Sequence, residues 1–314
     1  MPEPGVPLGR LGFGVASLGN LFMELSDERA FEILDEAWAA GIRSFDTAPH
    51  YGLGLSERRI GTFLATKPRD EFVLSTKVGR LLEPDPGADG LDDEGFRVPA
   101  TMKRVWGFDA DAVRRSLDAS LERLGLDRVD IVYIHDPERS DIGLDAALAT
   151  AVPAVAALRD EGVVGQVGIG TMVNEAVVAA VRTGALDLAM IANRLTLADH
   201  SALDEAVPAC REHGVGVVAA AVFNTGLLAH AEPHGRFEYA DADPQLLRRV
   251  RRIAAVCASH GVDVPTAALH YPLRRGAQTV VVGANGPGQI AQNAARLETH
   301  VPEELWAELE ADGL

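Results

Sequence analysis

The segment Phe45-Asp46-Thr47-Ala48-Pro49-His50-Tyr51-Gly52 places polar residues directly after a short apolar run. Two later segments have the same form, Ser75-Thr76-Lys77-Val78-Gly79 and Val132-Tyr133-Ile134-His135-Asp136. Each lies where an apolar strand is predicted to end. Parallel strands in a barrel have their carboxyl ends on one face, so these ends bring four side chains together. They are Asp46, Tyr51, Lys77 and His135.

Eight short apolar runs alternate with longer amphipathic segments. Most are continuous in Val, Ile, Leu and Ala, which is typical of strands buried on both faces of a parallel sheet. The runs cover residues 11–16, 42–46, 72–77, 130–135, 163–170, 186–193, 215–222 and 279–283. Eight repeats of strand and helix predict an α/β fold, the (β/α)8 TIM barrel, with residues 1–314 in a single domain.

A doubly wound open sheet is the alternative architecture. It is expected to carry Gly-x-Gly-x-x-Gly after its first strand. The corresponding segment here, Phe13-Gly14-Val15-Ala16-Ser17-Leu18-Gly19, spaces its glycines differently. The barrel is therefore favoured.

Amphipathic segments between the runs have recognisable ends. Ser26-Asp27-Glu28 combines a cap residue with acidic first-turn residues, and Ala40-Gly41 predicts the end of that helix. Pro265, Pro287 and Pro302 predict first turns, where proline is tolerated. The other predicted helices cover residues 109–124, 175–181, 203–213, 245–260, 265–273, 287–297 and 302–309.

Two segments, residues 81–108 and 224–244, are longer than ordinary loops. Both leave the carboxyl end of a predicted strand, the face where barrel enzymes place their sites. Disordered insertions are one interpretation, but aromatic and Arg residues are unlike a solvated linker. We therefore expect both segments to cover a substrate or cofactor. Those residues are Arg97, Trp106 and Phe108 in the first, and His230, His234, Arg236, Phe237 and Tyr239 in the second.

The chain carries 29 Lys and Arg against 46 Asp and Glu, a formal net charge of −17. This charge opposes binding to nucleic acid or to an anionic membrane. No apolar run reaches about 18 residues and no leader precedes Leu11, so we expect a cytoplasmic protein. Cys210 and Cys257 lie in helical patterns and are expected to be inert packing residues.

The four strand-end residues form a set that can exchange a proton with a carbonyl or hydroxyl group. A free tyrosine has a pKa near 10, and a neighbouring ammonium favours the phenolate. We expect Lys77 to lower the pKa of Tyr51 in this way, with Asp46 pairing the buried Lys77. His135 can donate or accept at a substrate oxygen. Each residue alone has a structural interpretation, but four together favour an active site.

The chain resembles the aldo-keto reductase superfamily from Leu11 to Leu297. The resemblance is carried by residues 41–52 with Ser56-Glu57, by Ser75-Thr76-Lys77, and by residues 120–135. It implies a nicotinamide-dependent oxidoreductase with a catalytic tetrad. Tyr51 would be the acid or base, tuned by Lys77 and Asp46, and His135 would orient the reacting oxygen.

Shorter segments resemble one branch of that family, which contains L-fucose (D-threo-aldose) 1-dehydrogenases and pyridoxal 4-dehydrogenases. They cover residues 17–22, 48–57, 76–82, 134–137 and 222–228. The branch implies oxidation of a cyclic hemiacetal to a lactone, in which Tyr51 takes the hydroxyl proton while hydride leaves the same carbon. His50, Trp106 and Phe108 are the expected substrate contacts.

Three other functions stay open. Pyridoxal 4-dehydrogenase would require a site that stacks a pyridine ring, which Trp106 and Phe108 could supply as readily as they could stack on a sugar. A broad NADPH-dependent aldehyde or ketone reductase is the second. The third is a non-catalytic, nucleotide-binding redox-sensing subunit, and the intact tetrad argues against it.

The cofactor segment departs from the family pattern. Many members carry a Lys-Ser pair after the eighth strand and an Arg five residues beyond the Ser, and these cations hold the 2′-phosphate of NADP. Gly283 and Gln289 occupy the Lys and Arg positions here, so we expect NAD to be preferred over NADP. Arg275 or Arg296 could still reach the phosphate.

The resemblance assigns further residues to the cofactor. The sequence departs from the family pattern at two of these places. Gly170-Thr171 replaces a Ser-Asn pair after the fifth strand, and Ala192 or Asn193 replaces a Gln near the sixth. A nicotinamide-stacking Tyr is lost near Ala220. The assigned cofactor residues are Asn193, Phe223, Asn224, Thr225, Gly226, Leu227, Gly283, Asn285, Gln289, Gln292 and Asn293. No metal is expected, because His230 and His234 lie in a poor helix without a third ligand.

Overall fold

Eight parallel strands close into a barrel in the computed structural model, which describes residues 8–232, 236–237, 240–241 and 243–314. Each strand pairs with its sequence neighbour, and the first pairs with the last. The (β/α)8 barrel is thereby confirmed, and every apolar run overlaps one barrel strand, with two strands ending one residue beyond the run. The strands are β1 Leu11–Gly14, β2 Ser44–Asp46, β3 Val73–Val78, β4 Ile131–His135, β5 Gln166–Thr171, β6 Leu188–Ala192, β7 Gly216–Ala220 and β8 Thr279–Val282.

Ten α-helices are present in the described residues, and four of them have a side-chain N-cap hydrogen bond. Ser26 accepts a hydrogen bond from the Arg29 amide, and Asp109 accepts one from the Ala112 amide. Gly125 ends a helix in the left-handed conformation. The helices are α1 Asp27–Ala39, α2 Leu55–Leu64, α3 Ala110–Leu124, α4 Leu144–Asp160, α5 Asn174–Val181, α6 Ala206–Glu212, α7 Pro244–Ser259, α8 Val264–Arg274, α9 Gln289–Leu297 and α10 Glu303–Ala311.

Sequence reasoning missed α2 and α4. Helix α2 begins after Gly54, whose φ of 82° and lack of a side-chain cap leave no N-terminal signal. Helix α4 contains Pro153 in its interior, where proline normally breaks a helix. The proline predictions also need correction, because Pro287 precedes α9 and Pro302 is the cap residue of α10, whereas Pro265 does lie in the first turn of α8.

Strand register places the catalytic candidates at one end of the barrel. Asp46 is paired with Ser75, and Lys77 with Tyr133 on the next strand. Alternation along the strands puts Ser75 and Lys77 on the same face, as it does Tyr133 and His135. Tyr133 is fully buried and lies against Gly168, where a Cβ would come within 2.9 Å of its ring. An apolar layer containing Tyr133 therefore supports the polar residues.

The long segment after β3 contains an antiparallel β-hairpin. Strand Arg80–Pro84 pairs with strand Met102–Trp106 in antiparallel register. The tip of the hairpin is joined to the barrel mouth by a bridge between Leu21 and Phe96. Phe96 packs with Leu53 in a small buried cluster beside Tyr51. The hairpin is thus part of the wall around the candidate site.

The second long segment, after β7, is described only in part. Phe223, Leu227 and Leu228 pack at its start in a cluster with α7 and α8. Further on, Arg236–Phe237 pairs with Ala240–Asp241. His234 and Tyr239 lie outside the described residues, as do the side chains of Arg236 and Phe237. The covering role expected of this segment stays a prediction.

Three smaller expectations are addressed by the described residues. Cys210 and Cys257 are free, and burial raises their thiol pKa to about 11 and about 12, so both stay protonated at neutral pH. Among the described residues, no group of three or more His, Cys, Asp or Glu side chains is placed to hold a metal ion. None of the described helices is both long and apolar enough to cross a membrane.

Candidate active site

A buried ion pair lies at the centre of the site. Lys77 Nζ donates to Asp46 Oδ2 at 2.6 Å and to the Thr47 carbonyl at 2.9 Å. Ser75 Oγ donates to the second carboxylate oxygen of Asp46 at 2.7 Å. Lys77 and Asp46 are only 2% and 5% exposed. Two charges are tolerated here because each is paired and hydrogen bonded.

The Tyr51 ring lies against this pair. Lys77 Nζ is 4.7 Å from the centre of the ring. The His135 imidazole is 5.9 Å from Tyr51 between ring centres, at 86°. The structure thus brings the four predicted catalytic residues together. Their roles stay a prediction.

Close backbone packing holds the Tyr51 loop. A Cβ on Gly19 would lie 2.7 Å from the Tyr51 carbonyl carbon, and one on Gly52 would lie 2.2 Å from the Gly19 carbonyl oxygen. Gly52 also has a φ of 62°, which favours glycine. The loop after β1 and the loop after β2 are therefore in direct contact, and a side chain at Gly19 or Gly52 would displace Tyr51.

Two buried side chains anchor the helix that follows this loop. Ser56 Oγ lies 2.9 Å from Thr47 Oγ1 and donates to the Val15 carbonyl at 2.7 Å. Glu57 accepts from Thr76 Oγ1 at 2.8 Å and pairs with Arg123 at 2.6 Å. These contacts connect α2 to β1, β3 and α3. They explain why Ser56-Glu57 belongs with the segment that carries Tyr51.

The expectation that Lys77 lowers the pKa of Tyr51 needs correction. Burial raises the pKa of Tyr51 above 10, and the charge and hydrogen bond of Lys77 only partly oppose this rise. Burial works to lower the pKa of Lys77, but Asp46 and Tyr51 outweigh it, and the pKa of Lys77 is raised. Near neutral pH, the site therefore holds a neutral phenol beside a firmly charged ammonium.

Two imidazoles in the site stay neutral. Burial, reinforced by Arg80 and Lys77, holds the pKa of His135 well below its usual range. Burial and Arg80 lower the pKa of His50 to about 2. The two rings lie 5.6 Å apart between centres. A neutral imidazole carries one donor and one acceptor, so His135 can hydrogen bond to a substrate oxygen without exchanging charge with it.

Sequence reasoning missed a second buried ion pair beside His135. Arg80 Nη2 donates to Asp136 Oδ2, and that oxygen lies 3.7 Å from His135 Nε2. On the hairpin, Arg104 pairs with Asp92 at 2.5 Å and also donates to the His50 carbonyl at 3.0 Å. The positions of the two residues could have indicated the Arg80–Asp136 pair, because each lies just past a strand end. Arg80 follows Val78-Gly79 after β3, and Asp136 directly follows His135.

The expected substrate aromatics occupy different environments. Trp106 is partly exposed and stacks with Phe108 at 5.8 Å and 18°. The Arg80 guanidinium lies over the Trp106 ring at 4.8 Å. Phe108 is only 3% exposed and packs against Gly79, so it supports Trp106 from the core. Direct substrate contact by His50, Trp106 and Phe108 stays a prediction, which the burial of Phe108 disfavours for that residue.

Residues expected to bind the cofactor after β6 and β7 form a tight polar turn. Asn224 Nδ2 donates to the Asn193 carbonyl at 3.1 Å, and both asparagines are buried. Asn193, Asn224 and Thr225 all adopt left-handed backbone, as does Ala221. Asn224 Oδ1 has no hydrogen-bond partner among the described residues. A buried polar atom without a partner in a strained turn fits a segment that receives a polar ligand.

In the turn between β8 and α9, side-chain oxygens accept hydrogen bonds from backbone N–H groups. Gln289 Oε1 accepts from the Asn285 amide at 2.9 Å and from the Gly286 amide at 3.3 Å. Glu36, on α1, accepts from the Gly288 amide at 2.5 Å. Gly283 adds no side chain, and Gln292 is exposed on α9. Three backbone N–H groups of this turn are therefore already hydrogen bonded, one of them to a carboxylate.

The two arginines that could have replaced the missing cations are engaged elsewhere. Arg296 pairs with Asp263 at 3.0 Å and donates to Asn293 at 3.1 Å. Arg275 pairs with Glu310 at 2.8 Å and lies over the Tyr271 ring. Recruiting either to a phosphate would require breaking these contacts.

Comparisons with known proteins agree with this geometry. A profile described as "Aldo/keto reductase family" matches residues 10–312. The chain is 52% identical to a D-threo-aldose 1-dehydrogenase from a Pseudomonas species over 311 residues, covering 97% of this chain and 94% of the relative. It is 34% identical to a pyridoxal 4-dehydrogenase from Microbacterium luteolum over 330 aligned positions, covering 99% and 95%. A glycerol dehydrogenase structure from Gluconobacter oxydans superposes with a TM-score of 0.77 at 20% identity, covering 99% of this chain and 93% of that chain, and supports the fold alone.

Proposed function

This chain belongs to the aldo/keto reductase family, and on that premise we propose that it oxidises C1 of a cyclic aldose hemiacetal to a lactone. The chain is an oxidoreductase acting on CH–OH donors with a nicotinamide cofactor. The D-threo configuration, as in L-fucose, is proposed for the sugar because the relative at 52% identity is a D-threo-aldose 1-dehydrogenase. The observation that carries the proposal is the buried Asp46–Lys77 pair against Tyr51.

The residues of the tetrad would each perform one task. His135, neutral and fixed, would hydrogen bond to the C1 oxygen and hold it beside Tyr51. Tyr51 would accept the hydroxyl proton in its phenolate form, and the Lys77 ammonium would stabilise that anion. Asp46 keeps Lys77 in place and charged. A bound nicotinamide dinucleotide would supply the hydride acceptor, held by Asn193 and by residues 223–227.

We further propose that the dinucleotide is NAD rather than NADP. A 2′-phosphate carries nearly two negative charges. In the turn assigned to it by family resemblance, it would meet the Glu36 carboxylate and find the amides of Asn285, Gly286 and Gly288 already bonded. A ribose hydroxyl can instead donate to a carboxylate, as it does in other NAD sites. This arrangement supports NAD.

A second candidate substrate is pyridoxal. A pyridoxal 4-dehydrogenase is 34% identical to the chain, and the partly exposed Trp106 offers a ring face for stacking a pyridine. A sugar presents its apolar face to an aromatic ring in a similar way. Assays with aldoses and with pyridoxal separate the two candidate substrates.

Absorbance of reduced nicotinamide tests the proposal directly. Purified protein is given NAD or NADP with L-fucose, D-arabinose, L-galactose, L-xylose, D-glucose or pyridoxal. The proposal expects NAD reduction with the threo-configured aldoses and a lactone as product. Turnover of pyridoxal alone would favour the second candidate. Activity only as NADPH oxidation with simple aldehydes would contradict both the substrate and the cofactor.

A further inference from the structure

The Arg80–Asp136 pair lies next to the reacting centre but is not part of the tetrad. Arg80 opens the hairpin, and Asp136 follows the last residue of β4. Arg80 is 3% exposed, whereas the Asp136 side chain keeps 16% of its surface accessible. Trp106 lies beneath the guanidinium. The carboxylate is therefore fixed from behind by a buried cation and remains partly accessible.

The fold holds Asp136 at a free-energy cost. Its φ of 43° lies in the left-handed region, which few residues other than glycine, asparagine and aspartate adopt. Burial also raises the pKa of Asp136, against the opposing effect of Arg80, which shows that the carboxylate is poorly solvated.

The distance to His135 indicates what Asp136 could bind. Its Oδ2 atom lies 3.7 Å from His135 Nε2, on the residue that would orient the C1 oxygen. Oxygens on adjacent sugar carbons are separated by about the length of one hydrogen bond. A carboxylate at this distance from the imidazole is thus within reach of the hydroxyl next to the reacting carbon.

We propose that Asp136, held by Arg80, accepts a hydrogen bond from the C2 hydroxyl of the substrate, so that the site selects 2-hydroxy aldoses over their 2-deoxy analogues. This inference rests on the proposed aldose oxidation and names a residue that selects its substrate. Arg80 acts as a positioning residue, because its fork fixes the carboxylate. The other interpretation, that the pair only fastens the hairpin to the barrel, predicts no such selectivity.

A cycle of two substrates and two proteins tests the proposal. The value of kcat/KM is measured for L-fucose and 2-deoxy-L-fucose with the wild type and with Asp136→Asn. The wild type should prefer the full sugar about 10- to 100-fold, the range of a hydrogen bond to a charged group, and the variant should lose most of that preference. Comparing the two ratios cancels the intrinsic difference in reactivity between the sugars. An equal loss on both sugars would overturn the proposal.

Asp92→Asn is the matched control, because it also removes the carboxylate of a buried Arg–Asp pair of the hairpin. It should leave the preference for the 2-hydroxyl unchanged. Thermal melting shows whether each variant folds. If Asp136→Asn does not fold, Arg80→Lys keeps the charge, loses the fork and should lower the preference by a few fold; an unchanged preference in that variant would also overturn the proposal. A wild type that oxidises no aldose would instead contradict the proposed function.

Discussion

The ends of β2, β3 and β4 carry buried cations, whereas the turn after β8 carries side-chain oxygens where a cation would be expected. At the strand ends, the protein buries Lys77 and Arg80 and pairs each with its own carboxylate. In the turn, Gln289 and Glu36 accept hydrogen bonds from three backbone N–H groups, and Gly283 stands where many family members carry a Lys. The first region concentrates positive charge beside a proton carrier. The second withholds it from an anion. One barrel face can thus partly offset the cost of a buried anion in one place and disfavour an anion in another.

Removing the proton carrier should have the largest effect. In Tyr51→Phe the aromatic ring and its packing remain but the hydroxyl is lost, and general acid–base catalysis is worth about 100- to 10,000-fold. We expect kcat to fall by that amount. Steady-state assays with L-fucose measure the loss. Cofactor affinity, followed by NADH fluorescence, should stay nearly constant, and a large drop in affinity would assign Tyr51 to cofactor binding instead.

Breaking the central pair should affect stability as well as rate. Lys77→Met leaves Asp46 buried without its cation, which should cost about 3–5 kcal/mol of unfolding free energy. Denaturant titration measures this cost, and adding Asp46→Asn should recover part of it. Turnover should stay low in the double variant, because the phenolate still lacks its ammonium. Recovery of turnover without Lys77 would remove that residue from the mechanism.

The pH dependence of sugar oxidation sharpens the comparison further. Because the pKa of Tyr51 is raised above 10, the fraction of phenolate grows about tenfold per pH unit throughout the neutral range. The value of kcat/KM should therefore climb with pH and reach no plateau below pH 10. Because the pKa of His135 is low, its titration should add no step to the kcat/KM profile between pH 6 and 8. A plateau within that window would show that another group carries the proton.

Reversing the charge pattern of the turn should have the smallest effect. Gln289→Arg supplies a cation, and Glu36→Gln removes the carboxylate without changing its size. Each should raise NADP affinity relative to NAD by several fold, about the strength of a charge-assisted hydrogen bond at a partly exposed site. Binding of each dinucleotide is measured by calorimetry. Asp35→Asn, which removes the carboxylate of α1 that pairs with Lys67, is the charge control. A ratio that moves no more than in that variant would contradict the assignment of the turn to the 2′ position.

Much of the site could be predicted because its signals are local in the sequence. Asp46, Lys77 and His135 each end an apolar run, and parallel strands in a barrel necessarily present such ends on one face. Boundaries were less predictable where the local signal conflicted with the structure. Helix α4 tolerates Pro153 in its interior, and the segment after β3 forms a hairpin although it is rich in Pro, Gly and Asp.

Other features depended on contacts between distant parts of the chain. The burial of Phe108 against Gly79 could not be inferred from composition, because an aromatic residue in a long segment fits a core as well as a binding site. The Glu36–Gly288 contact joins residues 252 positions apart. No spacing rule connects such residues.

The sequence by itself determined the barrel and the identity of the four residues that meet at its mouth, because hydrophobic periodicity and strand-end position are properties of short segments. Only the tertiary structure decided the electrostatics of the site. The sign of the Tyr51 pKa shift depends on whether burial outweighs Lys77, and the pairing of Arg80 with Asp136 depends on where the hairpin folds back. Both are set by the dielectric surroundings and distances of the folded chain, which no local pattern encodes.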